Sequence, residues 1–218
     1  MCYAYYWCGE RREMVFESKE EARAAAKLAV KQLRVGFETE TRSMLAAANL
    51  AATSFYEEAE CLFVFMSKKN EISTTCLIEK AFSDKKAVAI PKTVGNTLEF
   101  YLLDPQKKIE EQVETGNFNV LEPCAFLEKI DQSKLPLDSL FVVPGLAFAL
   151  DGTRLGHGKG YYDRYIDGVY RSNSSVYLPK AIIGFCYDCQ VFEELPSDDY
   201  DVPSTHIATE KRFITCES

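Results

Sequence analysis

Residues 140–164 read Leu140-Phe-Val-Val-Pro-Gly-Leu-Ala-Phe-Ala-Leu-Asp-Gly-Thr-Arg-Leu-Gly-His-Gly-Lys-Gly-Tyr-Tyr-Asp-Arg164. A short apolar run ends at Val143, as expected of a strand covered on both faces. Gly156, Gly158 and Gly160 then stand at every second position. Directly after them Tyr162, Tyr165, Ile166 and Val169 fall on one helical face. Strand, glycine loop and helix in succession form the building unit of an α/β sheet. The same alternation extends outward in both directions. Continuous apolar runs occur at 61–66 (CLFVFM), 87–90 (AVAI) and 181–185 (AIIGF), with a more alternating run at 98–103 (LEFYLL). Between them lie helical patterns near 19–34, 40–58 and 73–83, the first opened by the capping box Ser18-x-x-Glu21. The expectation is one α/β domain over 18–218: three layers, a mainly parallel sheet flanked by helices. Residues 1–17 are expected to form a flexible extension. The polar, proline-containing stretch 104–138 reads as a long irregular connection, and that length points toward function.

The chain has 218 residues, 47% hydrophobic and 27% charged, with a formal net charge of -8. That composition suits a globular domain with a continuous core and excludes a disordered or collagen-like chain. The acidic balance speaks against nucleic acid and anionic membranes as partners, since both are polyanions. No apolar run approaches the roughly 18 residues of a membrane helix. The eight cysteines are scattered among apolar neighbours. Cys186-x-x-Cys189 lacks the two further ligands a zinc site needs, because neither His157 nor His206 has suitable spacing to it. Reduced structural thiols in a reducing, cytoplasmic compartment are the expectation; the N-terminus leaves a mitochondrial location open.

Against this negative background the cations are unevenly placed. Arg154 and Lys159 flank the loop glycines just ahead of a helix start. Glycines let backbone N–H groups approach a ligand closely, and a helix N-terminus adds donors and a favourable dipole. The combination reads as a polyphosphate cradle rather than a solvated glycine hairpin. It is neither the dinucleotide fingerprint, since the spacing is G-x-G-x-G, nor a P-loop, since Gly160 follows Lys159. Arg23, Lys27, Lys31 and Arg34 form a basic stripe on the first helix, a solvated face or a second wall of the same anion site. Asp163 and one acid of the run Glu193–Asp201 could hold Mg²⁺ on the phosphates. Glu71, just beyond the 61–66 strand, reads by itself as a surface glutamate capping the next helix. A ligand of an open α/β sheet would also sit at that strand end.

The segment from Val143 through Arg164 resembles the signature of the 5-formyltetrahydrofolate cyclo-ligase (methenyltetrahydrofolate synthetase) family. The flanking pieces occur in the family's order: a basic first helix, Glu71-Ile, Ile90-Pro91, Leu121-Glu122-Pro123, Leu195-Pro196, Asp201-Val-Pro and Thr209-Glu210. The resemblance covers about residues 20–212. It implies ATP contacts from Arg23 and Lys27 and from Arg154, Leu155, Gly156, His157, Gly158, Lys159, Gly160, Tyr161 and Tyr162. It implies a folate site using Lys27, Met66, Glu71, His157, Gly158, Lys159, Gly160 and Tyr161, with Phe118 as an aromatic wall. Mg²⁺ would be held by Asp163 and Asp201, and the chain is expected to act as a monomer. Two positions depart from the family pattern: Ala149 where an acid often follows Ala-Phe, and Thr205 where a second aspartate is common.

The implied reaction is ATP- and Mg²⁺-dependent closure of 5-formyltetrahydrofolate to 5,10-methenyltetrahydrofolate. The formyl oxygen would be activated by phosphoryl transfer, with Lys159, Arg154, Glu71 and Tyr161 as the catalytic set. Two rival functions fit the same scaffold. One is a small-molecule kinase that stops at the phosphorylated product. The other is a folate- or nucleotide-binding protein without turnover.

Overall fold

The computed structural model describes residues 14–33, 38–116, 120–172 and 178–217. Helix α1 (Lys19–Leu33) buries Ala22, Ala26, Ala29, Val30 and Leu33, the three- and four-residue spacing of one face. Ser18 Oγ accepts from Glu21 N–H at 3.2 Å, while the Glu21 carboxylate reaches back to Glu17 N–H rather than to Ser18. The helical pattern at 40–58 resolves into two helices, α2 (Glu38–Ala51) and α3 (Ser54–Glu58). Thr53 separates them. Its backbone is extended, and its side chain accepts from Tyr56 N–H as an N-cap for the second helix. Arg34 of the basic stripe lies outside the described residues. Phe16, expected in the flexible extension, packs edge-on against Phe192 with ring centres 5.3 Å apart.

Strand β1 (Cys61–Val64) leads through α4 (Thr75–Ser83) to β2 (Ala87–Val94), which turns at Gly95 into β3 (Thr97–Leu102). The connection 104–138 is not irregular throughout. It contains a small hairpin, β4 (Val113–Thr115) with β5 (Leu121–Pro123). There follow β6 (Ser139–Val143), β7 (Ala147–Ala149), β8 (Arg154–Leu155), α5 (Tyr161–Ser172), β9 (Ala181–Phe185), β10 (Val191–Phe192), β11 (His206–Ala208) and β12 (Phe213–Thr215).

Seven strands form the main sheet in the order β12-β11-β9-β6-β1-β2-β3. The inner pairs β1–β2, β1–β6, β6–β9 and β9–β11 are parallel, and only the two edges, β2–β3 and β11–β12, are antiparallel. Both faces are covered, and β1 displays the period-2 logic directly. Leu62 and Val64 face a core with Leu50, Leu77 and Ile78 from α2 and α4. Cys61 and Phe63 face a second core with Tyr165, Ile166 and Val169 from α5. Burying Leu62, Phe63 or Val64 contributes roughly 1.5–3 kcal/mol each. The result is the expected three-layer α/β sheet.

From β1 the chain crosses to β2 on one side, whereas β6 pairs on the other. The strand order therefore reverses at β1/β6, and a crevice opens beyond their carboxyl ends. Beyond Ala89, β2 no longer pairs with β1, so Pro91 sits where no parallel ladder bond is needed. Among the described residues no helix is long and apolar enough to cross a membrane. The cysteines at 61, 76, 124, 186, 189 and 216 are all outside disulfides.

Candidate active site

Two adjoining cavities occupy the crevice. The inner one, about 290 Å³, has Phe65 and Met66 from the end of β1, Pro91 and Thr93 from the free half of β2, and Leu98 from β3. Glu71, Glu122, Arg154, Lys159, Tyr161, Tyr162 and Asp163 complete its wall. The outer one, about 730 Å³, lies against α1 and is lined by Lys27, Lys31, Lys68 and Lys69. Lys68, Glu71, His157 and Gly145 border both.

Glu71 is positioned by its own turn. Its backbone N–H donates to Lys68 O at 2.9 Å, and its Oε2 accepts from Lys68 N–H at 2.9 Å. Ser67 closes the same turn by donating to Ile72 O, while Thr74 donates to Phe65 O. The carboxylate is thus fixed at the mouth of β1, 13% exposed, with Oε1 3.4 Å from His157 Nε2. Its field adds to burial, the larger cause, in driving the Tyr162 hydroxyl far above its ordinary range, and Arg154 opposes them.

The glycine loop starts from a short hairpin in which β7 pairs antiparallel with β8. Phe148 of β7 packs over Gly145 and Gly184, each too close to it to carry a Cβ without displacement. Gly158 and Gly160 have φ of +86° and +62°, conformations in which side chains are strained. The loop carbonyls are tied back by arginines. Arg23 Nε donates to Gly156 O at 2.9 Å, and Arg164 Nη2 donates to Lys159 O. Arg154, 4% exposed at its side chain, donates to Asp163 Oδ1 at 2.7 Å and stacks 5.7 Å from the Tyr162 ring centre. Lys159, His157 and Gly158 are exposed, and α5 begins immediately after Gly160.

The residues expected from sequence therefore divide. Met66, Glu71, Arg154, Gly156, His157, Lys159, Gly160, Tyr161 and Tyr162 share the inner cavity, Lys27 lines the outer one, and Arg23 grips the loop. Leu155 instead points into a core with Ala22 and Ala26, and its carbonyl accepts from Leu146 N–H. Its side chain is a packing element. Phe118 lies outside the described residues. Asp201 lies in neither cavity wall and pairs with Lys19. Glu122, Thr93 and Lys68 also line the inner cavity, and sequence marks none of them as a site residue beyond the Leu121-Glu122-Pro123 piece of the resemblance.

Magnesium chemistry can be tested against these donors. Asp163 Oδ1 accepts from Arg154 and from Val202 N–H, which brings the Asp201 peptide beside it. Asp201 Oδ2 accepts from Lys19 and from Asp198 N–H. Among the described residues no group of three or more His, Cys, Asp or Glu side chains is arranged as a metal cage. Two hard carboxylates, each engaged through one oxygen, fit a magnesium ion carried in on phosphates better than a resident metal. Ala149 is fully buried near Ala22 and Ala26, and the Thr205 hydroxyl bonds both backbone groups of Ile182. The two departures from the family pattern therefore belong to packing and to the sheet.

Residues 15–210 match the model of the 5-formyltetrahydrofolate cyclo-ligase family. A probable 5-formyltetrahydrofolate cyclo-ligase of Schizosaccharomyces pombe is 34% identical over 71% of this chain and 76% of its own length. The Escherichia coli 5-formyltetrahydrofolate cyclo-ligase is 32% identical over 69% of this chain and 78% of its own. Among solved structures, the Aquifex aeolicus 5,10-methenyltetrahydrofolate synthetase superposes with a TM-score of 0.73 at 27% identity, covering 92% of this chain and 93% of that one.

Proposed function

The chain belongs to the 5-formyltetrahydrofolate cyclo-ligase family, and from that premise we propose that it converts 5-formyltetrahydrofolate and ATP to 5,10-methenyltetrahydrofolate, ADP and phosphate. The observation that carries the reading is the meeting, at one switch point, of a cation-bearing glycine loop on a helix N-terminus with the fixed carboxylate of Glu71.

The formyl oxygen is a poor leaving group at neutral pH. Transfer of the ATP γ-phosphoryl group to it makes phosphate the leaving group. N10 then attacks the formyl carbon, the carbon–oxygen bond breaks and the N10 proton is lost. Such chemistry depends on positioning and charge neutralisation. The exposed Lys159 ammonium meets the transferring group, while Arg154, held by Asp163, supplies a fixed positive field from beneath the loop. Arg23 and Lys27 bring the first helix to the nucleotide, whose polyphosphate follows the loop from Gly156 to Gly160. Glu71 orients the N5-formyl end of the folate, and Tyr161 and Met66 pack against its ring. Asp163 and Asp201 would hold magnesium, which neutralises phosphate charge when bound. The protein acts as a cytoplasmic monomer in this reading.

The test is the absorbance of methenyltetrahydrofolate formed from 5-formyltetrahydrofolate with ATP and magnesium, and without each. Product that depends on ATP is the expected result. A stable phosphorylated folate with no cyclised product would make the protein a kinase, and binding without ATP hydrolysis would make it a binding protein.

A further inference from the structure

Glu122 is a carboxylate in an unexpected place. It lies on β5, is 4% exposed and lines the inner cavity together with Glu71. Its Oε1 accepts from Thr93 N–H at 3.1 Å, on the half of β2 that has left β1. The Oε2 side is packed against Gly116, where a Cβ would collide with it. Among the described residues Glu122 has no ion pair. The nearby Lys92 ammonium is directed to Pro123 O and to Glu114 on the same hairpin. A buried carboxylate without a cation is costly unless donors reach it. One backbone N–H leaves most of its acceptor capacity open, since an ionised carboxylate has about four lone-pair sites.

The surrounding wall narrows the choice of partner. Pro91, Leu98 and Phe65 make one side of the cavity apolar, which suits the face of a ring whose polar groups lie at its edge. We propose that Glu122 binds the 2-amino-4-oxopyrimidine edge of the substrate through its N3–H and 2-amino donors. This assignment rests on the folate reading above and deepens it. Those two donors are parallel and match a carboxylate in the paired geometry that makes such contacts strong and specific. Glu71 and Glu122 then divide the substrate between them, the first at the formyl end and the second at the pyrimidine end. Glu122 is a specificity determinant, since it touches the part of the ring at which no bond changes.

Equilibrium titration of the whole protein tests this without turnover. The ligands are 5-formyltetrahydrofolate, its 2-desamino-2-methyl analogue, and ATP. The wild-type protein is expected to bind the parent about 30-fold more tightly than the analogue, the range for a charge-assisted contact. In Glu122→Gln, whose oxygen still accepts from Thr93 while its NH₂ opposes the ring donors, that preference should fall to about threefold or less, with ATP affinity unchanged. Glu122→Asp, which keeps the charge and withdraws it by one methylene, should lie between and serves if the glutamine variant does not fold. Equal binding of parent and analogue by wild type would overturn the proposal. So would full discrimination retained in Glu122→Gln, or an equal loss of ATP and folate affinity with discrimination intact. Folate binding with the expected discrimination but no methenyl product would defeat the reaction and leave the Glu122 contact standing.

Discussion

Arg154 and Asp163 stand nine residues apart, one before the glycine loop and one after it, and their side chains meet at 2.7 Å. The pair staples the two ends of the loop together. Asp163→Asn would leave a guanidinium that is 4% exposed without its counter-charge, and Arg154 Nε already lacks a hydrogen bond among the described residues. Breaking a well-buried pair costs about 3–5 kcal/mol; because Asp163 is 21% exposed, a loss of about 2–3 kcal/mol is expected. Urea unfolding of Asp163→Asn, Arg154→Met and the double variant measures it. A double variant no more stable than Asp163→Asn would mean that the stranded guanidinium is not the cause.

Lys159 behaves differently because its ammonium is exposed, while its carbonyl is what Arg164 holds. Lys159→Ala should leave stability within about 0.5 kcal/mol of wild type. ATP-dependent turnover should fall by about 100- to 1,000-fold, as for removal of one transition-state charge partner. Steady-state kinetics alongside a thermal melt separates the two effects. Full turnover in this variant would remove the loop from the phosphate site.

His206 predicts a pH dependence of stability. Its ring centre lies 4.2 Å from that of Phe55 and 5.2 Å from that of Phe213, and burial lowers its pKa below the ordinary 6.5. The unfolded chain therefore takes up a proton at a higher pH than the folded one. Stability is complete above about 6.5 and declines as pH falls toward the folded pKa, with a slope of at most about 1.4 kcal/mol per pH unit. Glu99, held down chiefly by its bond from Lys129, loses its contribution only below the ordinary carboxylate range near 4.5. The windows are separate. Denaturation midpoints between pH 7 and 5 should drift downward in wild type and stay flatter in His206→Gln.

Gly184 and Gly145 flank Phe148 so closely that neither can carry a side chain without moving it. Gly184→Ala should therefore cost about 1–3 kcal/mol by overpacking. Phe148→Leu in the same molecule should return part of that, a non-additivity readable in a double-mutant cycle. Strict additivity would show that Phe148 is not the obstruction.

Much of the fold was legible because its central strands are continuous apolar runs. Cys61–Val64, Ser139–Val143 and Ala181–Phe185 pair with one another or with β2 where a two-face-buried sheet requires. The small strands were not legible. Arg154–Leu155 and Val191–Phe192 span two residues each, too short to show a period, and pairing with β7 defines them. The break at Thr53 was hidden because Ala48, Ala52 and Phe55 continue a helical face across it.

The site was legible in its glycines and cations, whose chemistry is local. Burial was not. Leu155 and Lys159 lie four positions apart in one motif, yet one is core and the other solvent. Glu122 stayed unassigned for the opposite reason. Its stretch reads as an irregular connection, and only the hairpin pairing of β4 with β5 brings it to the cavity.

The tied-back loop carbonyls bear on conformational entropy. Fixing the backbone of residues 156–160 from a free chain would cost on the order of 5–10 kcal/mol, enough to erase the affinity of an ordinary nucleotide contact. Here the ends are stapled through Arg154 and Asp163, and Arg23 and Arg164 restrain the carbonyls of Gly156 and Lys159. Most of that ordering is completed when the protein folds. Nucleotide arriving at this loop would then have little chain to immobilise, and more of its interaction energy would remain available for the reacting groups.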